Sequence, residues 1–215
     1  MHDAQLRRPL LAVVALIMLA AAASAVAAHA ASSPSGAHRA RRAPGPWCGG
    51  VLWRQMTFSD ADRRKVSVAP VATTIGDIAA LSRPRRVTTS RSTNFQRHIW
   101  RLHAVIDRYR IASNGEVVLI LFSINTGQYM NAYMPNPSCL SNRTRKRRDI
   151  LAARQGVVGH CAAVTPAWQL LGATVEIEGV GFWNPATNTR GALRNGAELR
   201  PVTNLSIDAG CGMPR

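Results

Sequence analysis

RHIWRLHAVIDRYRIASNGEVVLILFSI, residues 97 to 124, decides the fold. In its first half Trp100, Leu102, Ala104 and Ile106 are all apolar and alternate with Ile99, Arg101, His103, Val105 and Asp107. Side chains on an extended chain point to opposite faces in turn, so this spacing predicts a strand of about a dozen residues with one face buried. The strand meets Ser113-Asn114-Gly115-Glu116, whose Asn-Gly centre tolerates positive φ at both central positions and predicts a tight hairpin. VVLILFSI, 117 to 124, is then the returning strand.

Working outward, a turn at Asn125-Thr126-Gly127 leads into QYMNAYMP, where Tyr129, Asn131 and Tyr133 alternate with Met130, Ala132 and Met134. Pro135 and Pro137 end this third strand, and SNRTRKRRDILAARQ, 141 to 155, follows with good helix formers and a basic first turn that opposes the helix dipole. ATVEIEGVGFW (173–183) and AELRPVTNLSI (197–207) alternate again as two closing strands. The order β-β-β-α-β-β predicts a mainly β chain whose residues 97–215 form an OB-like five-stranded barrel. Upstream, FSDADRRKV (58–66) and TTIGDIAALSRP (73–84) begin on capping residues, which predicts a short N-terminal helical extension within residues 47–96, joined to the barrel by a basic loop at 82–95.

Residues 1–30 have the layout of a signal peptide: Arg7 and Arg8, an apolar run from Leu10 to Ala28, and a small-residue cleavage site ending near Ala30. Residues 31–46, rich in Ser, Pro, Gly and Arg, are expected to be a disordered basic tether. A secreted or cell-envelope protein with no transmembrane span after processing is the expectation. The chain carries 27 Lys and Arg against 11 Asp and Glu, a formal net charge of +16, and only Lys65 and Lys146 are lysines. Such an excess attracts polyanions in a salt-sensitive way, whether nucleic acid, anionic lipid or wall polymer. Cys48, Cys139, Cys161 and Cys211 suit two disulfides in an oxidising compartment, with three pairings open. No Cys-x-x-Cys occurs and the histidines are scattered, so no metal or other cofactor is expected.

Candidate sites follow from these placements. A nucleic-acid or polyanion groove would use Arg101 and His103 on the first strand, Tyr129 and Tyr133 on the third, and Arg143, Arg145, Arg147 and Arg148 before the helix. A metal-dependent phosphodiesterase would instead need converging oxygens, for which Asp107, Glu116 and Glu198 are candidates, with Arg108, Arg110 or Arg200 as phosphate clamps. Neither His103 nor His160 has a nucleophile in a recognisable elbow, so no catalytic residue is assigned. The bland alternative makes the tyrosines ordinary strand residues, the arginines solvated charge, and Asp107 a partner for an arginine.

Several separate motifs, in order, resemble those of an uncharacterised family of bacterial proteins, many of them exported. They are Cys48-Gly49 and Trp53 with Thr57, Asp60 and Asp62; Thr73-Thr74 before Leu81 and Pro84; Pro137-Ser138-Cys139; Gly179-Val180-Gly181-Phe182; and the closing Gly191, Asn195, Glu198, Leu199, Pro201 and Val202. The chain departs from that pattern at Met56, Asn114, Val118 and Arg200, the last standing where the closing motif has a histidine. The resemblance implies no established activity, and any polar site that these four positions form in relatives is altered here, while Asn195, Glu198 and Arg200 are the polar residues of the closing motif in this chain. It also implies pairing of Cys48 with Cys139 and of Cys161 with Cys211, because only the first two belong to the shared pattern. The function expected on these grounds is a non-enzymatic binding or interaction module of the cell envelope, whose partner is an anionic polymer or another envelope protein.

Overall fold

A computed structural model describes residues 48–161 and 165–211, apart from the side chain of His160. The expected signal peptide and tether lie outside the described residues. The described chain is mainly β, with few helices: α1 (Trp53–Met56), β1 (Ser67–Ala72), α2 (Ile75–Ala79), β2 (His98–Ile111), β3 (Val117–Phe122), β4 (Tyr129–Met134), α3 (Arg147–His160), β5 (Gln169–Trp183) and β6 (Ala197–Ala209). The strands form one mixed six-stranded sheet in the order β1-β2-β3-β4-β6-β5. Because β2 also pairs with β5, the last five strands close a ring of hydrogen bonds. Within that ring β4 and β6 run parallel and the other neighbours antiparallel.

The long first strand behaves as its alternation predicts as far as Ile106, with Leu102, Ala104 and Ile106 buried in the main core. Its register then slips between Ile106 and Arg108 against both neighbours. Such a bulge leaves two successive residues facing the same way and inverts the phase beyond it. Tyr109 turns into the core, while Asp107, Arg108 and Arg110 remain outside.

The hairpin at 112–116 differs from the tight type expected. The Gly115 N–H donates to the Ala112 carbonyl at 2.8 Å and only Gly115, at φ +80°, leaves the right-handed region. Asn114 serves through its side chain instead, accepting from the Glu116 N–H at 3.1 Å and donating to the Glu116 carboxylate at 2.7 Å. The helix α3 also starts later than expected. Residues 141–146 are held back by Arg145, whose Nη1 donates to the carbonyls of Arg63 and Val66 at 2.8 Å each. From there Ile150, Ala153 and Val157 form its buried stripe.

Residues 58–66, expected as a short helical turn capped by Ser59 or Asp60, hold a five-residue 3-10 turn at Ala61–Lys65 that follows Asp60. The expected helix after Thr73 is α2, opened by a capping box in which the Asp77 N–H donates to the Thr74 hydroxyl at 3.0 Å and the Thr74 N–H to the Asp77 carboxylate at 3.2 Å. Between them lies a strand that sequence reasoning did not foresee: β1 runs parallel to the start of β2. It is almost wholly exposed and contains Pro70, so no buried face imposes alternation. The basic loop at 82–95 contains another surprise. Arg91 is 1 % exposed, with its guanidinium donating to Asp60 at 2.8 Å and to the carbonyls of Gln55 and Gln96 at 3.1 Å. Its own N–H donates to Asp62 at 3.0 Å, so both motif aspartates hold this one residue.

The Gly-Val-Gly-Phe stretch is explained by close approach. A Cβ on Gly181 would lie 2.1 Å from the Phe95 carbonyl oxygen, and one on Gly179 would lie 2.8 Å from the Leu199 Cβ. The two disulfides pair as the resemblance implies, Cys48 with Cys139 (Cα–Cα 5.4 Å) and Cys161 with Cys211 (4.8 Å).

A candidate anion-binding groove

The bulge in β2 and the outward phase of β4 place a row of polar side chains under the loop that joins β5 to β6. Three adjoining hollows run there, the first sharing Tyr129 and Gly191 with the second and Arg190 with the third. The first, of about 210 Å³, is bounded by Asp107, Arg108, Ile120, Tyr129 and Arg190. The second, of about 500 Å³, passes Gln128 and Tyr129 towards Arg194. The third, of about 320 Å³, lies between Arg110, Asn131, Tyr133, Trp168 and Thr189. Gly191, at φ +76°, lets the loop close down: a Cβ there would lie 2.6 Å from the Asn131 side-chain oxygen.

The groove is therefore arginine-rimmed with aromatic walls. The Arg110 guanidinium lies over the Trp168 ring at 4.9 Å, a cation–π contact that fixes both side chains, while Tyr129 remains 43 % exposed. The one acid in its walls, Asp107, accepts from Arg108 at 3.2 Å. Arg190 and Arg194 are exposed and make no ion pair among the described residues.

Behind Tyr133 the polar chemistry continues in the dry. Arg200 stacks on the Tyr133 ring at 4.2 Å and donates to Glu116 at 2.5 Å and to Glu198 at 3.3 Å. Asn184 donates to the other Glu198 oxygen at 3.0 Å. Glu116, Glu198 and Arg200 are all buried. One cation thus serves two carboxylates. The Arg200 charge lies closer to Glu116, and burial pushes the Glu198 carboxyl up to about 7, with Arg200 only partly offsetting that cost. Burial likewise raises the Tyr133 hydroxyl. For a metal-dependent phosphodiesterase the placement is poor: a guanidinium already stands between Glu116 and Glu198, Asp107 is paired with Arg108, and no group of three His, Cys, Asp or Glu residues able to hold a metal occurs among the described residues.

The residues singled out from sequence separate into several places. Tyr129 opens into the groove, but Tyr133 forms its wall and is closed off by Arg200. Arg101 lies elsewhere, donating to Glu178 at 2.7 Å and standing 3.5 Å from Glu176, and His103 is 3.3 Å from Glu176. Arg143, Arg147 and Arg148 are exposed, whereas Arg145 is tied into the fold. Asn195 caps α2, its amide nitrogen donating to the carbonyls of Ile78, Ala79 and Leu81 at 2.9, 3.2 and 3.1 Å. Arg190, Arg194 and Trp168 were not singled out. The signal that could have found them is their position in loops flanking β5, where a sheet displays side chains without burying them.

The chain matches no model of a known protein family, and no curated protein is similar enough to it to count as a relative. Among the described residues no helix is long and apolar enough to cross a membrane.

Proposed function

We propose that this chain is an exported, non-enzymatic binding module whose strands close as an OB-like barrel and whose groove holds an anionic polymer. The strand order supports the architecture: β2, β3, β4, β6 and β5 follow one another round a closed ring, with α3 inserted between the third and fourth of them in the chain. OB barrels bind extended polymers across the face of their second and third strands, between the loops at that end. The groove occupies the corresponding place, over β3 and β4 and under the β5–β6 loop. Two disulfides suit an oxidising compartment outside the cytoplasm.

The observation that carries the proposal is the pairing of Arg108, Arg110, Arg190 and Arg194 with the exposed ring of Tyr129 and the half-buried ring of Trp168. Arginines meet phosphates or other acidic groups, and aromatic faces hold bases or sugars. Fluorescence anisotropy with single-stranded DNA, RNA and an anionic wall polymer, each at two salt concentrations, tests it. At least one polymer should bind at physiological salt and lose about tenfold in affinity on Tyr129→Ala, since stacking contributes about 1–3 kcal/mol. Binding that vanishes at physiological salt and ignores both Tyr129→Ala and Arg190→Gln would leave only generic charge attraction.

A further inference from the structure

A second concentration of charge lies away from the groove. The turn at Ala61–Lys65 and the approach to α3 are distant in sequence, yet Arg145 joins them: its N–H donates to the Phe58 carbonyl at 3.0 Å and its guanidinium to those of Arg63 and Val66. Residues 52–66 and 141–150 together carry nine cations and three carboxylates. Asp60 is buried against Arg91, Asp62 pairs with Lys65 at 2.8 Å and Asp149 with Lys146 at 2.6 Å. Arg54, Arg143, Arg147 and Arg148 are exposed and have no ion pair with the described residues.

Between Arg54 and Arg143 opens a cleft of about 290 Å³, walled by Trp53 and by the hydroxyl-bearing Thr57, Ser59 and Ser141. Two residues before the half-buried Trp53 the chain presents Val51, which is 82 % exposed. A tryptophan and an exposed aliphatic side chain beside unpaired arginines fit the interface of an anionic bilayer. There the indole sits at headgroup depth, the aliphatic group enters the acyl boundary, and guanidinium groups meet lipid phosphates. A water-soluble polyanion would meet the arginines but gain nothing from Val51.

We propose that this face docks on an anionic phospholipid surface, with a headgroup phosphate seated between Arg54 and Arg143. The site is independent of the groove and leaves it free to hold its own ligand.

The test is co-sedimentation with vesicles of phosphatidylglycerol and phosphatidylcholine, using protein expressed with its own leader and recovered after export. The expected result is partition onto phosphatidylglycerol-containing vesicles and not onto pure phosphatidylcholine. Arg147→Gln with Arg148→Gln should lower that partition about tenfold or more, because each basic residue near such a surface contributes about fivefold. Val51→Asp should lower it about fivefold, whereas Tyr129→Ala and Arg190→Gln in the groove should leave it unchanged. Partition unaffected by Val51→Asp, or equally reduced by the groove variants, would overturn the proposal. So would displacement by millimolar glycerol phosphate as complete as that by added vesicles, since the cleft would then take a free phosphate and not a membrane. Failure of polymer binding in the groove would leave these outcomes untouched.

Discussion

Replacing Glu198 by Gln removes the second of two carboxylates that share one arginine, and its effect should depend on pH in a defined direction. In the unfolded chain Glu198 titrates near 4.5, whereas burial raises it to about 7 in the folded one. Below the lower value both states hold the proton and the site does not change stability with pH. Between the two values the folded state keeps a proton that the unfolded state has released, so stability falls as pH rises; above the higher value the loss is complete. A shift of this size corresponds to an upper limit of about 3 kcal/mol. Glu198→Gln abolishes the titration, so the stability of the variant relative to the parent should rise by up to that amount between pH 4.5 and 8. Below pH 4.5 the two chains should differ little, since the parent's protonated carboxyl and the variant's amide are both neutral at that position. Equilibrium unfolding in urea, followed by tryptophan fluorescence at half-unit pH steps, gives the difference directly. Parallel profiles for parent and variant, or a difference that shrinks as pH rises, would refute the burial of an incompletely compensated carboxylate at this position.

Three further outcomes are expected. Arg91→Met strands Asp60 and the carbonyls of Gln55 and Gln96 in the interior and should cost about 3–5 kcal/mol in urea unfolding, with Asp60→Asn in the same chain restoring part of it; a loss under about 1 kcal/mol would contradict that. Gly181→Ala drives a methyl into the Phe95 carbonyl and should lower the melting temperature by about 3–10 °C, while Gly156→Ala, with open space around it, should raise it slightly. Intact mass after alkylation should show no free thiol until the protein is reduced. Each bridge lost should then cost about 2–5 kcal/mol, and uptake of reagent by the native chain would disprove the pairing.

Much of the ring was legible because its strands are patterned by burial on one side: Leu102, Ala104 and Ile106, or Met130, Ala132 and Met134, repeat at two because one face meets a core. What escaped was whatever does not alternate. The strand β1 has no buried face to declare it, and the bulge after Ile106 has no composition of its own, although it decides that Arg108 and Arg110 face the groove. The site was harder still. Tyr133, Glu198 and Arg200 read as an outer face, and they are on one, but that face is itself covered, so residue type and alternation gave no warning that they were buried. Arg91 was hidden the same way among arginines that are solvated; only its four partners, spread from Gln55 to Gln96, distinguish it.

The two disulfides also determine how the molecule would bear a pull. Tension arriving at Cys48 crosses to Cys139, follows the backbone to Cys161, and leaves through Cys211. Residues 49–138 and 162–210 hang off that line as closed loops, and all six strands lie within them. The load falls on residues 139–161 alone, a stretch that contains α3 and would reach about 75 Å when fully extended. Held between two anchorages, the protein would lengthen by giving up one helix, while none of the load passed along its strands.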